Sequence, residues 1–248
     1  MRRETQNILL VLLGGALLKI GFTGAYLNYV KPSFQWMVLA TGAVMVLLAL
    51  FAIVRDLKKH VRGSASDGHS HDSGSHDDGH AHGRSSWMLM LPVLAIFLIA
   101  PPALGSDSVT RNDGRSVAQS ERKTGGAKFD PLPPGDVVPI TMTDFVTRSA
   151  WDDANTLNDR TVRMSGFIVR DKNSTLMARL VMGCCAADAT PVRVRLDGEP
   201  SASGYAVDSW VEVTGRIQPG TATEANSYTP SLTVASIKQI PIPEMPYE

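Results

Sequence analysis

Two groups of side chains in this sequence have types and spacing suited to chemistry. His69, His71, His76, His80 and His82 stand among Asp67, Asp72, Asp77 and Asp78, giving five histidines and four aspartates within sixteen residues. Imidazole nitrogen suits zinc, nickel and copper, and a flexible chain can fold back to offer four ligands in a tetrahedron. Asp72, Asp77 and Asp78 add attraction for a divalent cation, and near neutral pH most of the imidazoles are unprotonated and able to bind. Such a loop has no preorganised geometry, so buffering or sensing of metal fits it better than catalysis. The bland reading is a solvated linker.

The second group is Cys184 and Cys185, the only cysteines in the chain, followed by Asp188. With two cysteines a multi-disulfide secreted scaffold is excluded. Adjacent cysteines rarely bridge each other. Two thiols on a loop with a carboxylate a few positions on can instead grip a thiophilic ion such as Zn(II) or Cu(I). A complete site would need Asp188, water, a second copy or a partner protein. Two other readings stay open: a redox pair, without the Cys-x-x-Cys spacing, and two small buried residues at a strand end.

The elements that carry these groups differ in kind. The segment around the histidines has no apolar residue larger than alanine, so residues 55–86 are expected to be a disordered loop. From Phe129 onward, strand-like runs occur at 161–170, 175–182, 191–196, 209–217 and 231–240, separated by turn residues such as Asp197-Gly198 and Gln218-Pro219-Gly220. A short helix is expected from Thr143, as its cap, to Asn155. Gly166 and Gly215 fall inside strands, where glycine marks a bulge or bend. The fold expected for 129–248 is all-β, an OB-like five-stranded barrel, with 106–128 as a solvated tether.

The first 105 residues hold three long apolar runs: 8–30, 36–54 and 87–105. Each can cross a hydrocarbon core of about 30 Å at about 1.5 Å per residue. The reading is therefore a transmembrane helical hairpin over 1–54 and a third transmembrane helix over 87–105. Ala103-Leu104-Gly105 also resembles a signal-peptidase site, where cleavage would release the C-terminal part. Lys19, near the middle of the first run, either meets a carboxylate or anion in a neighbouring subunit or snorkels to the interface. Gly21 and Ala25 form a small-residue pair that lets another helix approach.

Orientation follows from Lys and Arg in the short loops. Arg2, Arg3, Arg55, Lys58, Lys59, Arg62 and Arg84 flank one side, and only Lys31 lies between the first two runs. This places the N-terminus and the histidine loop in the cytoplasm and everything after Gly105 outside it. Tyr26, Tyr29 and Trp36 then fall at the outer interface. With 24 basic and 24 acidic residues the formal net charge is zero, so a basic nucleic-acid binder is excluded. No nucleophile elbow, P-loop or dinucleotide fingerprint occurs, and neither an enzyme nor an organic cofactor is expected.

Tyr29-Val30-Lys31-Pro32, Pro101-Pro102-Ala103-Leu104-Gly105, the run from Cys184 to Ala189, Trp210 to Gly215 and Ile242 to Tyr247 occur in that order. In these segments the chain resembles a bacterial family of two-component membrane permease complex subunits, a domain of unknown function. The resemblance implies a small membrane subunit with an exported β domain, encoded beside a many-spanning permease and near zinc-homeostasis genes. Three short helices cannot readily enclose a solute path, so transport needs a polytopic permease partner or homo-oligomerisation. The expectation is thus a non-enzymatic permease subunit in the bacterial cytoplasmic membrane, linked to zinc or another transition metal. The competing one is a membrane-anchored metallochaperone or thiol oxidoreductase using Cys184 and Cys185.

Overall fold

Alternation of apolar and polar residues between Thr161 and Gln239 gives five strands: β2 (Thr161–Asp171), β3 (Ser174–Val181), β4 (Thr190–Asp197), β5 (Trp210–Gln218) and β6 (Ser231–Gln239). A three-residue strand, β1 (Val137–Pro139), precedes them. The computed structural model describes residues 3–63, 91, 94–95, 98–99, 102–112, 117–118, 129–171, 174–198 and 201–248. It divides into two units, Met1–Tyr26 with Pro32–Pro102, and Leu27–Lys31 with Ala103–Glu248.

In the second unit the strands form one six-stranded sheet in the order β1-β2-β3-β4-β6-β5, and β5 also pairs with β2. The five-stranded barrel expected from sequence is corrected to this six-stranded sheet. Its extra strand, β1, runs parallel to β2. Three residues ending in proline carry too little alternation to be read as a strand. The pairing of β4 with β6 is also parallel, and the other ladders are antiparallel.

Successive residues of β2 serve opposite faces, as a pleated strand requires. Val162, Met164 and Ile168 join Met177, Val194, Val213 and Leu232 in one buried cluster, while Phe167 and Val169 join Leu176, Leu180 and Trp210 in another. Helix α4 (Met142–Trp151) lays Met142, Phe145 and Val146 on the first cluster. Its cap is Thr141, which accepts from Asp144 N–H, rather than the expected Thr143. The Thr143 hydroxyl donates instead to Glu248 Oε2 at 2.7 Å, and the same carboxylate accepts the free N–H groups of Met142 and Thr143. A carboxylate at a helix N-terminus satisfies these unpaired donors and complements the dipole.

The ladder between β5 and β6 shifts register between Thr214 and Gly215, where any side chain at 215 would collide with the Thr233 carbonyl. The bulge expected at this glycine is therefore present. At Gly166 there is no register break; a side chain there would meet Ala178 O at 2.6 Å.

The expected tether begins as packed structure. Helix α3 (Ser106–Arg111) buries Val109 in the second cluster, and Arg193 donates to the carbonyls of Val109 and Asn112 at 2.8 and 3.0 Å. Asp208 accepts from both the N–H and the hydroxyl of Ser106. Polar composition concealed this, because the segment offers one valine and is otherwise held through its backbone and the Ser106 hydroxyl.

In the first unit, α1 (Arg3–Thr23) packs on α2 (Gln35–Gly63). The approach is closest at Gly14 and Gly42, where an added Cβ would meet the other's carbonyl at 2.9 and 3.0 Å. The small-residue face foreseen at Gly21 is filled by Leu39 of α2, and Ala25 lies beyond the helix in a 3-10 turn. Lys19 is exposed. Two helices among the described residues are long and apolar enough to cross a membrane, over Gln6–Thr23 and Pro32–Lys58, rather than the three expected. Most of the expected third span, 87–105, lies outside the described residues, and Pro102–Gly105 is not helical. The helix α2 runs on to Gly63, so the first nine residues expected in the 55–86 loop are helical. A core helix of a soluble domain would be mostly buried, yet only 17% and 11% of the two segments are. Leu47, Leu48 and Phe51 are among the exposed side chains.

Candidate functional site

The connection from β3 to β4 must reverse the chain in eight residues, from Met182 to Ala189. It does so through a 3-10 turn over Ala186–Asp188. The Asp188 carboxylate folds back to close the turn, Oδ1 accepting from Gly183 N–H at 3.0 Å and Oδ2 from Cys184 N–H at 2.8 Å. Glycine at 183 makes room, since a Cβ there would sit 2.9 Å from Oδ2. Asp188 is held below the usual carboxylate range by the Cys184 thiol and by these backbone donors.

The turn presents both thiols. Cys184 Sγ and Cys185 Sγ are 3.6 Å apart and are not joined in a disulfide. Cys184 is exposed and Cys185 half-buried, which removes the reading of two buried packing residues. Hydrogen bonding to the Asp188 carboxylate, and then to Cys185, pushes the Cys184 thiol up to about 11. Thiolate is the nucleophilic form, so this environment works against Cys184 as a redox nucleophile. One sulfur from each cysteine and one carboxylate oxygen of Asp188 lie within 4.8 Å of one another, a donor set suited to a metal ion. The other expected ligands, His69, His71, His76, His80, His82, Asp72, Asp77 and Asp78, lie outside the described residues.

A second chain segment is built into this loop. Lys31 N–H donates to Cys184 O at 3.1 Å, Ala186 N–H donates to Tyr29 O at 2.8 Å, and Val30 forms an antiparallel bridge with Cys185. Leu27–Lys31 thus belongs to the β unit although it stands between the two apolar helices in sequence. The C-terminal strap completes the arrangement. Tyr247 bridges to Leu180 of β3, and Met182 N–H donates to Glu248 O at 3.0 Å. The Tyr247 hydroxyl donates to Asn28 O and accepts from Leu104 N–H, each at 2.9 Å. Burial pushes the phenols of Tyr247 and Tyr29 above the usual range.

The roles of Tyr29, Val30, Lys31, Leu104 and Tyr247 did not follow from their chemistry or spacing. Residues 29–31, 104, 184–186 and 247 nonetheless meet in this one arrangement, through hydrogen bonds and bridges that join distant parts of the chain.

Comparison with known families matches residues 5–114 to the DUF1980 N-terminal domain and residues 142–248 to the DUF1980 C-terminal domain. No curated protein matches. A solved structure from Leishmania major Friedlin, named as an aspartyl-tRNA synthetase, aligns over 49% of this chain at 16% identity with a TM-score of 0.25. The chain spans about a quarter of that protein (25%).

Proposed function

Because the chain belongs to the DUF1980 family, a domain of unknown function whose N-terminal and C-terminal parts are both present, we propose that it is a non-enzymatic, membrane-anchored subunit of a two-component permease complex that handles a divalent metal such as zinc. The observation that carries this reading is the incorporation of Leu27–Lys31 into the β unit beside Cys184 and Cys185. It makes the metal-type donors continuous, through backbone hydrogen bonds, with the connection between two apolar helices.

The same observation supports a topology. If α1 and α2 each cross the membrane, Leu27–Lys31 and Gly63 lie on opposite faces. The β unit shares its face with Leu27–Lys31, so the chain must cross once more before Ala103. The apolar run 87–105 supplies residues for that crossing, and the Lys and Arg bias puts the β unit outside the cytoplasm.

The partner is a polytopic permease, because two or three helices of this length enclose no solute path. The exposed apolar side chains of α2, such as Leu47 and Phe51, suit lipid and a partner helix alike. The thiol pair favours a second reading, a membrane-anchored metallochaperone. Its thiol-oxidoreductase form is disfavoured by the raised Cys184 thiol. Affinity purification of the full chain from solubilised membranes tests the choice: a stoichiometric many-spanning protein is expected, and a homogeneous preparation of this chain alone would reject the permease reading.

A further inference from the structure

The geometry points to Cys184, Cys185 and Asp188 as an open, three-donor site for a tetrahedral thiophilic divalent cation, Zn(II), held as cargo and handed on through its fourth position. This inference deepens the metal-handling reading above by naming the ion and the protein atoms that hold it.

The sulfur separation is compatible with tetrahedral coordination. Two thiolates on one tetrahedral zinc, at about 2.3 Å each, stand about 3.8 Å apart. A linear two-thiolate ion at a similar bond length would hold them about 4.6 Å apart. Cys184 Sγ and Cys185 Sγ are 3.6 Å apart, which matches the tetrahedral case. Neither sulfur is buried, so an ion can reach both.

Asp188 is oriented to serve as the third donor. Each of its oxygens already accepts one backbone N–H, from Gly183 and Cys184. A carboxylate has about four acceptor positions, and the Cys184 thiol also bonds to this one, so loss of that thiol proton on metal binding frees a position for the ion. The two backbone bonds then play the part of outer-shell contacts that fix a ligand's direction. Since all three donors lie within 4.8 Å and both Cys184 and Asp188 are exposed, closing on an ion requires side-chain rotation rather than rearrangement of the turn.

Among the described residues the fourth position stays open. Cys184 and Cys185 are the only cysteines, and all six histidines fall between His60 and His82. Among the described residues no fourth Cys, His, Asp or Glu joins the group. Structural zinc sites are closed by four protein ligands, whereas sites that exchange a ligand keep one position free. An incoming donor from a permease or a chelated ion enters there. Binding replaces two thiol protons, which leave to solvent, with two sulfur–metal bonds. Because Lys31 N–H and Ala186 N–H hold the same turn to residues 29–31, the site is fixed beside the connection between the apolar helices.

Cobalt(II) is the probe, because thiolate ligation gives a sulfur-to-metal charge-transfer band that histidine or carboxylate ligation does not. Reduced full-length protein in detergent is expected to bind one equivalent with this band and with tetrahedral visible absorption. C184S and C185S should each lose about half the band and weaken cobalt binding at least tenfold. D188N should keep the band and, after correction for the easier loss of the Cys184 proton, weaken binding at least tenfold. A small added thiol should change the visible spectrum without extracting the metal. A wild-type protein without the band, serine variants that keep it whole, a D188N variant of unchanged affinity, or a spectrum indifferent to added thiol would each overturn the proposal. The permease reading is judged separately: co-purification of a many-spanning protein without the band removes this site and leaves the complex, and the band without a partner does the reverse.

Discussion

Asp188 sets the chemical state of the metal-free Cys184 thiol. Its carboxylate is the main cause that pushes this exposed thiol up to about 11, so at pH 8 about one molecule in a thousand carries the thiolate that reacts with alkylating agents. D188N removes the negative charge, the pKa falls, and the thiolate population at a fixed pH rises. Alkylation of Cys184 at pH 8 should therefore quicken at least tenfold in D188N. The pH at which the rate reaches half its plateau should move to lower pH, and an unchanged profile would contradict this account of the turn. Tyr247 offers a second test, since its hydroxyl joins Asn28 to Leu104. Y247F leaves two backbone groups without this partner and should cost about 1–3 kcal/mol, seen as a lower denaturation midpoint of the full chain. The cysteines and Asp188 were legible in sequence because they lie within five positions of one another. The bonds from residues 29–31, 104 and 247 were not, because a hydrogen bond spanning 219 positions leaves no local periodicity.

The strands β2 to β6 were readable because β2, β3 and β5 alternate between two buried clusters, β4 and β6 alternate between the first cluster and less buried positions, and turns separate the runs, Gly220 with its positive φ of 73° marking one of them. The elements missed, β1 and α3, are short and mostly polar, and what holds them is pairing with β2 or contacts from Arg193 and Asp208 rather than a pattern of their own. The cap of α4 was placed two residues late because Thr141 and Thr143 are equally suitable in composition. Only geometry shows that Thr141 accepts from Asp144 N–H while Thr143 serves Glu248. T141A should accordingly cost about 1 kcal/mol, within the usual range for losing a cap, while T141S should cost less; chemical denaturation of the two variants measures both. In the hairpin, Gly42→Val places a branched side chain where the Gly14 carbonyl stands 3.0 Å away. The two helices must separate, and overpacking of this kind costs about 1–3 kcal/mol. Disulfide cross-linking between cysteines introduced on α1 and α2 should fall in this variant, and unchanged cross-linking would show that the glycine contact does not set the crossing.

At the scale of the molecule, a β unit and a pair of apolar helices are joined by a chain that enters the β unit twice, at Leu27–Lys31 and from Ala103 onward. Sequence read the two kinds of segment correctly, because one is continuously apolar and the other alternates. It did not reveal the first entry, because five residues between two helices look like a simple turn. On the proposed topology, in which α1 and α2 cross a membrane, that entry would put the site on the face reached after α1, outside the cytoplasm by the charge bias. The chain tests this without engineering, since its only thiols are Cys184 and Cys185. Intact cells producing the unaltered protein are treated with a membrane-impermeant maleimide at pH 8, and the protein is then recovered and its thiols assayed. Labelling of Cys184 and Cys185 in intact cells, to the same extent as after permeabilisation, is the result expected; thiols that react only once the membrane has been opened would contradict the account.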